Sequence, residues 1–364
     1  MNKLRILQVI TKADWAGAQR VVYEICKYIK DNHSDKIEIE VAVGENGLLV
    51  HKLAVLGIRV HILNWLQHDI NPIIDYKGYK EIKKTISIGR YDVVHCHSTK
   101  AGILGRLAAY RLNKKRIIYT VHGLCPILQY NGIERKAAIL IERMLEKLTT
   151  DMVFLSMHDI EMAKQFKIYH PQKINLIYNS LTVPEVTHST LRLELSINPD
   201  VKIIGNVARV DEVKNPIRFI EIAKEYYYLY PKENTAFVWI GDGPLMNRVA
   251  SIVERYGLTD KVFFIGFRDK VEQYMSDFDL LLMTSICEGM PQTILEAIEL
   301  NVPILSADVG GICEMIGKKN VYRVSETNQD IAKKLNDTYT RIYLSDLGMA
   351  EKYVNLYLSD RKGI

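Results

Sequence analysis

The chain has 364 residues, enough for two domains of ordinary size with a substantial core in each. Hydrophobic residues make up 48% and charged residues 25%, which is typical of a soluble globular protein, and no stretch approaches the roughly 18 apolar residues of a membrane span. The net charge of +5 is uneven, because residues 1–180 hold 27 Lys and Arg against 17 Asp and Glu, whereas the remainder hold 21 against 26. A basic half suggests an anionic partner such as a phospholipid surface, a lipid phosphate or a nucleic acid, although an ordinary solvated surface could have the same charge.

Short apolar runs alternate with amphipathic segments in the first half of the chain. The apolar runs predict strands at residues 4–10, 37–44, 59–64, 91–98, 116–123, 152–156 and 173–180, and helical spacing of apolar residues predicts helices at 18–30, 76–89, 100–113 and 133–148. Such alternation favours a parallel sheet covered by helices on both faces. Ligands of these sheets bind at the carboxyl ends of the strands, so the residues that follow each strand are the candidates for a site.

The same pattern restarts after a linker at residues 181–190. It predicts strands at 201–208, 236–243, 262–267, 279–285 and 302–308, and helices at 215–230, 245–257, 269–278, 293–301 and 330–343. Two doubly wound α/β domains joined by one short linker are the simplest interpretation.

The cysteines and the N-terminus bear on the compartment. Five cysteines are scattered without a C-x-x-C pair, which favours a reduced cytosolic setting over a disulfide framework or a zinc site. The first ten residues lack the long apolar core and cleavage site of a signal peptide, so we expect no secretory leader.

The segment CEGMPQTILEAI (287–298) is the first that could carry chemistry. Pro291 suits the first turn of a helix, so we expect Glu288 in the preceding loop and Glu296 about a turn and a half into the helix. The N–H groups at the start of that helix would point at an anion such as a diphosphate, and the two carboxylates could accept hydrogen bonds from sugar and ribose hydroxyls. An ordinary helix start with favourable acidic residues is the alternative.

A second segment, GNVARVDEVKNP (205–216), directly follows a predicted strand. Arg209 and Lys214 lie in a loop that ends in Asn215 and Pro216, residues typical of a helix N-cap and of the first helical position. Two cations beside a helix N-terminus could bind a diphosphate and offset the charge that develops on a departing nucleoside diphosphate. A pair of exposed surface cations is the alternative.

Weaker signals follow other strands. The glycines of WIGDGP (239–244) and VGG (309–311) suit either a tight turn or a close approach of the backbone to a ligand, and the backbone of FRD (267–269) could border a nucleobase. In the first half, Gly17 opens the first helix, and His122 ends one strand. His95 and His97 share one face of another strand and could bind a metal, but no third ligand lies near them in the sequence. We therefore predict no metal and favour His122 as the functional histidine.

The segments AGAQR, DVVHCHS, TVHG, GNVARVDEVKNP, GDGPL and EGMPQTILEA together resemble the motifs of the family 4 glycosyltransferases, and most closely those of bacterial surface-polysaccharide enzymes. The resemblance runs from residue 4 to residue 316, and six weak motifs in the right order are specific. It implies the GT-B fold, an α/β architecture of two Rossmann-like doubly wound domains facing a central cleft. The expected boundaries are an acceptor- and membrane-side domain at 1–182, a nucleotide-sugar domain at 183–348, and a C-terminal helix at 349–364 that crosses back to the first domain.

The resemblance also implies a role for each matched residue. Arg209 and Lys214 would hold the diphosphate and stabilise the leaving group. Glu296 would bind the ribose, while Glu288 and His122 would contact the transferred sugar. The implied catalytic set is Arg209, Lys214, Glu288 and His122, and the implied donor-binding set is Gly17, Arg209, Lys214, Gly241, Phe267, Arg268, Glu288, Met290, Pro291, Gln292, Thr293 and Glu296. Members of the family retain the anomeric configuration, by front-face attack without a protein nucleophile, and require no metal or other cofactor.

The implied activity is transfer of a sugar from a nucleotide-sugar, a UDP-hexose or UDP-N-acetylhexosamine ahead of GDP-mannose, to a lipid-diphosphate-linked or saccharide acceptor of a capsule or exopolysaccharide. Such lipid acceptors lie at the cytoplasmic membrane face, where each basic residue gains about 1 kcal/mol near anionic lipid. The residues assigned to an acceptor and membrane patch are Lys77, Lys80, Lys83, Lys84, Arg106 and Arg111. We therefore expect a cytoplasmic protein that docks peripherally on the inner face of the cell membrane.

Other functions fit the same sequence less well. A dehydrogenase would need G-x-G-x-x-G after the first strand, where this chain has TKADWAGAQR, and no recognisable nucleic-acid module accompanies the basic half. A GT-B sugar-nucleotide epimerase and a catalytically silent partner of another transferase are the remaining alternatives. No motif specifies the sugar, the linkage or the oligomeric state.

Overall fold

The computed structural model describes residues 3–124, 127, 130–168, 170–181, 183, 186, 188–337 and 348–359. The chain divides into two compact units. The N-terminal unit comprises residues 1–180 together with 347–364, and the C-terminal unit comprises residues 181–346. Each unit is built on one parallel sheet.

The N-terminal unit contains a seven-stranded sheet in the order β3-β2-β1-β4-β5-β6-β7. Its strands are β1 Leu4–Ile10, β2 Ile37–Val43, β3 Arg59–Ile62, β4 Val93–Cys96, β5 Arg116–Val121, β6 Asp151–Phe154 and β7 Ile174–Leu176. The described helices between them are α1 Gly17–Asn32, α2 Leu48–Val55, α3 Pro72–Gly89, α4 Thr99–Arg111, α5 Gly132–Glu146 and α6 Met157–Gln165, with a 3-10 turn at Pro171–Lys173. The strand order reverses between β1 and β4, which is where a doubly wound sheet binds ligands.

The helices cover this sheet on both faces. The helix α1 buries Val21, Val22 and Ile25 against β1 and β2 on one face. On the other face α3 buries Ile82 and Ile86, and α4 packs alongside α3. Because both faces are covered, the central strands are continuously apolar rather than alternating.

The C-terminal unit repeats this plan with six strands in the order β10-β9-β8-β11-β12-β13. Its strands are β8 Lys202–Val207, β9 Thr235–Ile240, β10 Val262–Phe264, β11 Leu280–Met283, β12 Ile304–Ala307 and β13 Val321–Tyr322. Its helices are α7 Leu191–Glu194, α8 Pro216–Leu229, α9 Met246–Arg255, α10 Glu272–Met275, α11 Gln292–Glu299, α12 Ile312–Ile316 and α13 Asn328–Lys334, with a 3-10 turn at Lys318–Asn320. Here the strand order reverses between β8 and β11.

The last helix, α14 Met349–Leu358, belongs to the N-terminal unit and packs against α1. It buries Tyr353 and Tyr357 in the same core as α1. At its end, Arg116 of β5 donates hydrogen bonds to the carbonyls of Tyr357 and Ser359, at 3.2 and 2.6 Å. A cation therefore satisfies carbonyls that a helix end leaves without intrahelical donors.

Several elements differ from the sequence prediction. The helix α3 begins at Pro72 rather than at residue 76, because the side chain of Asn71 accepts hydrogen bonds from the backbone N–H groups of Ile73 and Ile74. The helix predicted at 269–278 is the single turn α10. The short helices α2, α6, α7 and α12 and the strand β13 were not predicted. The helix predicted at 330–343 is described only as far as Lys334, and residues 338–347 lie outside the described residues.

Three of the described cysteines, Cys26, Cys96 and Cys313, have free thiols, and Cys26 and Cys96 are buried.

Candidate functional site

Lys214 lies in a rigid loop between β8 and α8. Asn215 has a left-handed backbone with φ of 53°, and its side chain accepts a hydrogen bond from the N–H of Arg218, which confirms the predicted helix cap. The N–H of Lys214 donates to Asp211 Oδ1 at 3.1 Å. Thr284, just beyond β11, donates to the carbonyls of Lys214 and Asn215 at 3.1 and 3.0 Å. These contacts fix the loop to the carboxyl end of β11.

The Lys214 and Glu288 side chains form an ion pair at this edge of the sheet. Lys214 Nζ lies 2.6 Å from Glu288 Oε1, and the two side chains are 26% and 7% exposed. An ammonium group has three donors, so two remain for a ligand. Arg209 in the same loop is 69% exposed and lies 3.5 Å from Asp211. The edge therefore presents one partly buried and one exposed cation.

The helix α11 begins beside these cations. Pro291 is its N-cap rather than a residue of its first turn, and Gln292 is its first residue, one position before the predicted start at residue 293. Among the described residues no side chain caps this helix, and its first turn holds no acidic residue. Thr293 donates to the carbonyl of Val207 at 3.0 Å, which fixes the helix start at the carboxyl end of β8. In the first turn the N–H of Ile294 donates to the Pro291 carbonyl at 3.2 Å, which leaves the N–H groups of Gln292 and Thr293 for an anion. Glu296 is buried within the helix.

Two predicted glycines allow backbone segments to cross closely. A Cβ atom on Gly310, whose φ is +59°, would lie 2.1 Å from the carbonyl oxygen of Glu288. A Cβ atom on Gly241, whose φ is +139°, would lie 2.0 Å from the carbonyl oxygen of Ala208. The VGG segment thus approaches the loop that carries Glu288, whereas the sequence left open a tight turn or an approach to a ligand. Gly241 likewise supports the loop that carries Arg209.

Phe267 and Arg268 follow β10 and differ in exposure. Arg268 pairs with the carboxylate of Glu194, which also accepts a hydrogen bond from Tyr274 at 2.9 Å. The Arg268 guanidinium lowers the pKa of Glu194 below its ordinary value. The Phe267 side chain is 64% exposed. Phe267 and the local backbone are therefore the groups available to a ligand here.

Buried polar groups near the same strand ends form a further part of the site that was not predicted from the sequence. Asn206 of β8 is fully buried, and neither atom of its amide has a hydrogen-bond partner among the described residues. The Ser285 hydroxyl, just after β11, and Gln292 Oε1 share this property. Unpaired polar atoms are costly in a protein interior, and they concentrate at functional sites. The sequence signal that could have identified this set is Asn206, a polar residue near the end of the otherwise apolar strand β8.

The N-terminal unit carries Gly17 and His122. Gly17 opens α1, whose N-terminus has no side-chain cap among the described residues. His122 follows β5, and its Nε2 lies 3.1 Å from Nδ1 of His97. His95 instead contacts the Tyr357 hydroxyl through Nδ1 at 2.6 Å and the Thr120 hydroxyl through Nε2 at 2.8 Å. Within the described part of the chain, no three His, Cys, Asp or Glu side chains are grouped as metal ligands.

All three histidines are neutral at physiological pH. Burial lowers the pKa of His95 to about 3 and that of His122 to about 4. Burial also holds the pKa of His97 well below its ordinary value, and the neighbouring histidines act in the same direction. These rings therefore act as hydrogen-bonding groups rather than as cations.

The predicted basic patch needs one correction. Lys77, Lys80, Lys84 and Arg111 are exposed and Lys83 is partly exposed, but Arg106 is completely buried. Its guanidinium donates to both carboxylate oxygens of Glu142, at 3.0 and 2.9 Å, and lies 3.9 Å from the Tyr119 ring centre. Arg106 is therefore a structural residue and not part of a membrane or acceptor surface. None of the described helices combines the length and apolar character needed to cross a membrane.

Two protein-family models match this chain, and the gap between the two matches falls close to the boundary between the two units. The model described as Glycosyltransferase Family 4 matches residues 15–182, and the model described as Glycosyl transferases group 1 matches residues 189–341. The two matches contain every candidate site residue. This chain is a family 4 glycosyltransferase.

Two relatives of this glycosyltransferase are glycosyltransferases of Escherichia coli. The UDP-Gal:α-D-GlcNAc-diphosphoundecaprenol α-1,3-galactosyltransferase of Escherichia coli is 28% identical, over 85% of this chain and 81% of that enzyme. The O-antigen biosynthesis glycosyltransferase WbnH of the same organism is 25% identical, over 91% of this chain and 89% of its own length. The enzyme class is thus that of a glycosyltransferase, as predicted.

Solved structures confirm the GT-B fold of the glycosyltransferase. Alr3699/HepE of Anabaena, in a complex with UDP-glucose, matches with a TM-score of 0.76 and 18% identity, over 98% of this chain and 96% of that one. WaaG, a glycosyltransferase of lipopolysaccharide biosynthesis, matches with a TM-score of 0.70 and 15% identity, over 98% and 100%.

Proposed function

We propose that this glycosyltransferase transfers a hexose or N-acetylhexosamine from a UDP-sugar to a lipid-linked or saccharide acceptor in the synthesis of a bacterial surface polysaccharide, with retention of anomeric configuration. The name of the Escherichia coli relative specifies a UDP-sugar donor and a diphosphoundecaprenol-linked acceptor. The observation that carries the proposal is the Lys214–Glu288 ion pair beside the exposed Arg209 and the uncapped start of α11.

This arrangement suits a nucleoside diphosphate. Arg209 and the two remaining donors of Lys214 would bind the diphosphate oxygens, with N–H groups of the first turn of α11. As the bond to the sugar breaks, negative charge grows on the leaving UDP, and fixed cations stabilise that charge without reorganisation. These groups supply the positive charge that a metal ion supplies in other transferases, so we expect turnover to persist in EDTA.

The carboxylates and His122 would bind the sugar parts of the donor. Glu288 would accept hydrogen bonds from the transferred sugar, and Glu296 from the ribose. The Lys214 ammonium restrains Glu288, which suits a fixed acceptor of hydrogen bonds better than an attacking nucleophile. Attack by the acceptor hydroxyl on the face that UDP leaves would then retain configuration. Gly17, Phe267 and the neighbouring backbone would border the acceptor and the base.

Thermal unfolding with UDP, GDP, dTDP, CMP and NAD tests the donor class. A ligand at a hundred times its dissociation constant adds about 2.7 kcal/mol of stability, which gives a clear shift in Tm. We expect UDP to stabilise the protein, Arg209→Ala and Lys214→Ala to abolish the shift, and the exposed control Arg255→Ala to retain it. Stabilisation by NAD alone, or by no nucleotide, would contradict the proposal. Turnover with UDP-sugars and proton NMR of the product then establish the sugar and the anomeric outcome.

We also propose that one helical layer of the N-terminal unit docks on an anionic bilayer. The helices α3, α4 and α5 lie side by side on one face of the sheet, because α4 packs on α3 and its Arg106 pairs with Glu142 of α5. The outer surface of this layer carries the exposed cations Lys77, Lys80, Lys84, Arg111, Lys136 and Lys147. Ile133, Leu140 and Met144 are 85%, 57% and 61% exposed, and their spacing forms a stripe along α5. Exposed apolar side chains flanked by lysines suit the interface of an anionic membrane.

Vesicle flotation tests this surface. We expect binding to vesicles of phosphatidylcholine with one third phosphatidylglycerol, and weak binding to phosphatidylcholine alone. The variant Lys77→Glu/Lys80→Glu/Lys84→Glu should lose binding through charge, and Leu140→Ser/Met144→Ser through lost apolar insertion. The matched control Lys318→Glu/Lys319→Glu changes exposed lysines of the C-terminal unit and should bind normally. Binding that does not depend on anionic lipid, or concentration-dependent self-association through α5, would contradict the assignment.

A further inference from the structure

His97 is a completely buried histidine that directly follows β4. Its Nδ1 lies 3.1 Å from Nε2 of His122, and the two ring centres are 5.3 Å apart. Its Nε2 is buried without a hydrogen-bond partner among the described residues. The described residues also provide no hydrogen bond to Nδ1 of His122. One nitrogen of each ring therefore forms a hydrogen bond with the other ring.

The contact between the two rings contains a single proton. Burial lowers the pKa of His122 to about 4 and holds that of His97 well below its ordinary value, so both rings are neutral. A neutral imidazole has one N–H and one bare nitrogen. If His122 donated through Nε2, the proton of His97 would lie on Nε2, which is buried and has no acceptor. If His97 donates through Nδ1, its Nε2 is a bare acceptor.

The second arrangement agrees better with the surroundings. A buried N–H group without an acceptor is rarer in proteins than an under-used acceptor, and leaving such a donor unpaired is costly. His95 holds the His97 ring in place, because the two ring centres are 4.1 Å apart and His95 is itself fixed by Tyr357 and Thr120. The position of His97 is therefore set by packing, and the proton on its Nδ1 sets the state of His122.

We propose that His97 is a positioning residue: its Nδ1–H donates to Nε2 of His122 and fixes His122 in the tautomer that carries its proton on Nδ1. His122 is then a hydrogen-bond donor toward the sugar, and the group it recognises is an acceptor oxygen of the transferred hexose. This inference rests on the proposed function, which assigns His122 to that sugar.

The tautomers can be observed directly. In wild-type protein with isotopically labelled histidine nitrogens, two-bond proton–nitrogen spectra distinguish Nδ1–H from Nε2–H rings. The spectra of His97→Phe and His122→Ala assign the two signals. We expect both His97 and His122 to carry their protons on Nδ1. A proton on Nε2 of His122 would overturn the inference, whatever the activity of the variants.

Kinetics test whether His97 acts through His122. His97→Phe removes the donor, whereas His97→Asn keeps an amide N–H at the place of Nδ1. We expect His97→Phe to lower kcat/KM by about 2- to 13-fold, the range for one neutral hydrogen bond, and His97→Asn to restore most of it. In a His122→Ala background the same change should have no further effect. An equal loss in both backgrounds would overturn the inference, because His97 would then act independently of His122.

The controls separate this inference from the proposed function. Stabilisation by UDP depends on proposed contacts in the C-terminal unit, so it should persist in every His97 variant that folds. A wild-type protein without UDP binding or sugar transfer would refute the proposed function. A wild-type protein that transfers sugar, but with the other His122 tautomer, would refute only the role of His97. If His97→Phe fails to fold, the tautomer of His122 in the wild-type spectrum tests the inference without that variant.

Discussion

Removal of the Arg106 side chain should destabilise the N-terminal unit by several kcal/mol. The side chains of Arg106 and Glu142 are 0% and 10% exposed, so Arg106→Ala leaves a carboxylate in the interior without its counter-ion. Breaking a buried pair from one side costs about 3–5 kcal/mol. A unit of this size loses about 2–4 °C of Tm per kcal/mol. A loss of about 4 kcal/mol therefore lowers its Tm by about 8–16 °C.

Urea and thermal unfolding measure this loss, with Arg111→Ala as the matched control. Arg111 lies on the same helix and is exposed, so its replacement should change the free energy of unfolding by less than about 0.5 kcal/mol. The double variant Arg106→Met/Glu142→Leu removes both charges and should recover most of the stability, since apolar residues often replace a buried pair without loss. If Arg106→Ala matched Arg111→Ala, or if the double variant were as unstable as the single one, the assignment of a buried structural ion pair would be wrong.

Three further predictions concern the site and its pH dependence. Glu288→Gln should lower kcat by about 10²- to 10³-fold, the usual effect of losing one aligned electrostatic contact. Stabilisation by UDP should persist in this variant. The exposed control Glu299→Gln on α11 should be fully active in the same assay. Gly310→Ala should reduce both stability and turnover, because its Cβ would collide with the Glu288 carbonyl. Gly317→Ala, at φ of +75° and ψ of 161° with open space around it, should cost about 1–3 kcal/mol of backbone strain and leave turnover unchanged. The folded protein lowers the pKa of His95 to about 3 and of His122 to about 4, so the unfolded chain binds more protons below pH 6.5. The free energy of unfolding should then fall as the pH drops from about 6.5 toward 4, by up to about 1.4 kcal/mol per pH unit for each histidine, and His97→Phe should show a shallower dependence in urea titrations at several pH values.

Most strands of both sheets could be predicted from the sequence because fully buried parallel strands are continuous apolar runs, whereas the two-residue strand β13 was missed. Such runs identify β1, β8 and β11 without information on their neighbours. Short helices are less visible: α6 has nine residues and α12 five, so neither repeats an apolar pattern often enough to indicate a helix. The start of α3 was missed for a different reason. The residues from Asn71 onward have cap and proline signals, but the exposed Ile73 obscured the amphipathic pattern of the first turn.

The candidate site was predictable where its chemistry is local. Asn215 and Pro216 give the cap of α8, and that cap places Lys214 directly before this helix without reference to distant residues. The pairing of Lys214 with Glu288, 74 residues apart, needed the fold. The glycines show the same limit: a sequence indicates that Gly310 tolerates a close approach, but only the structure shows that the approaching group is the Glu288 carbonyl.

Arg106 and His95 explain why charge and residue type alone mislead. In the sequence Arg106 belongs to a basic run that also contains Arg111 and Lys115. In the fold it is buried, because it lies on the face of α4 that packs against Glu142 of the neighbouring helix. His95 looks like a metal ligand beside His97, but both its nitrogens contact hydroxyl groups, one of them on α14, 262 residues away. The role of a buried polar group depends on the hydrogen-bond partners that the fold brings to it. For that reason the assignment of His97 depends on which of its two nitrogens lacks a partner, and the tautomer spectra test that assignment independently of catalysis.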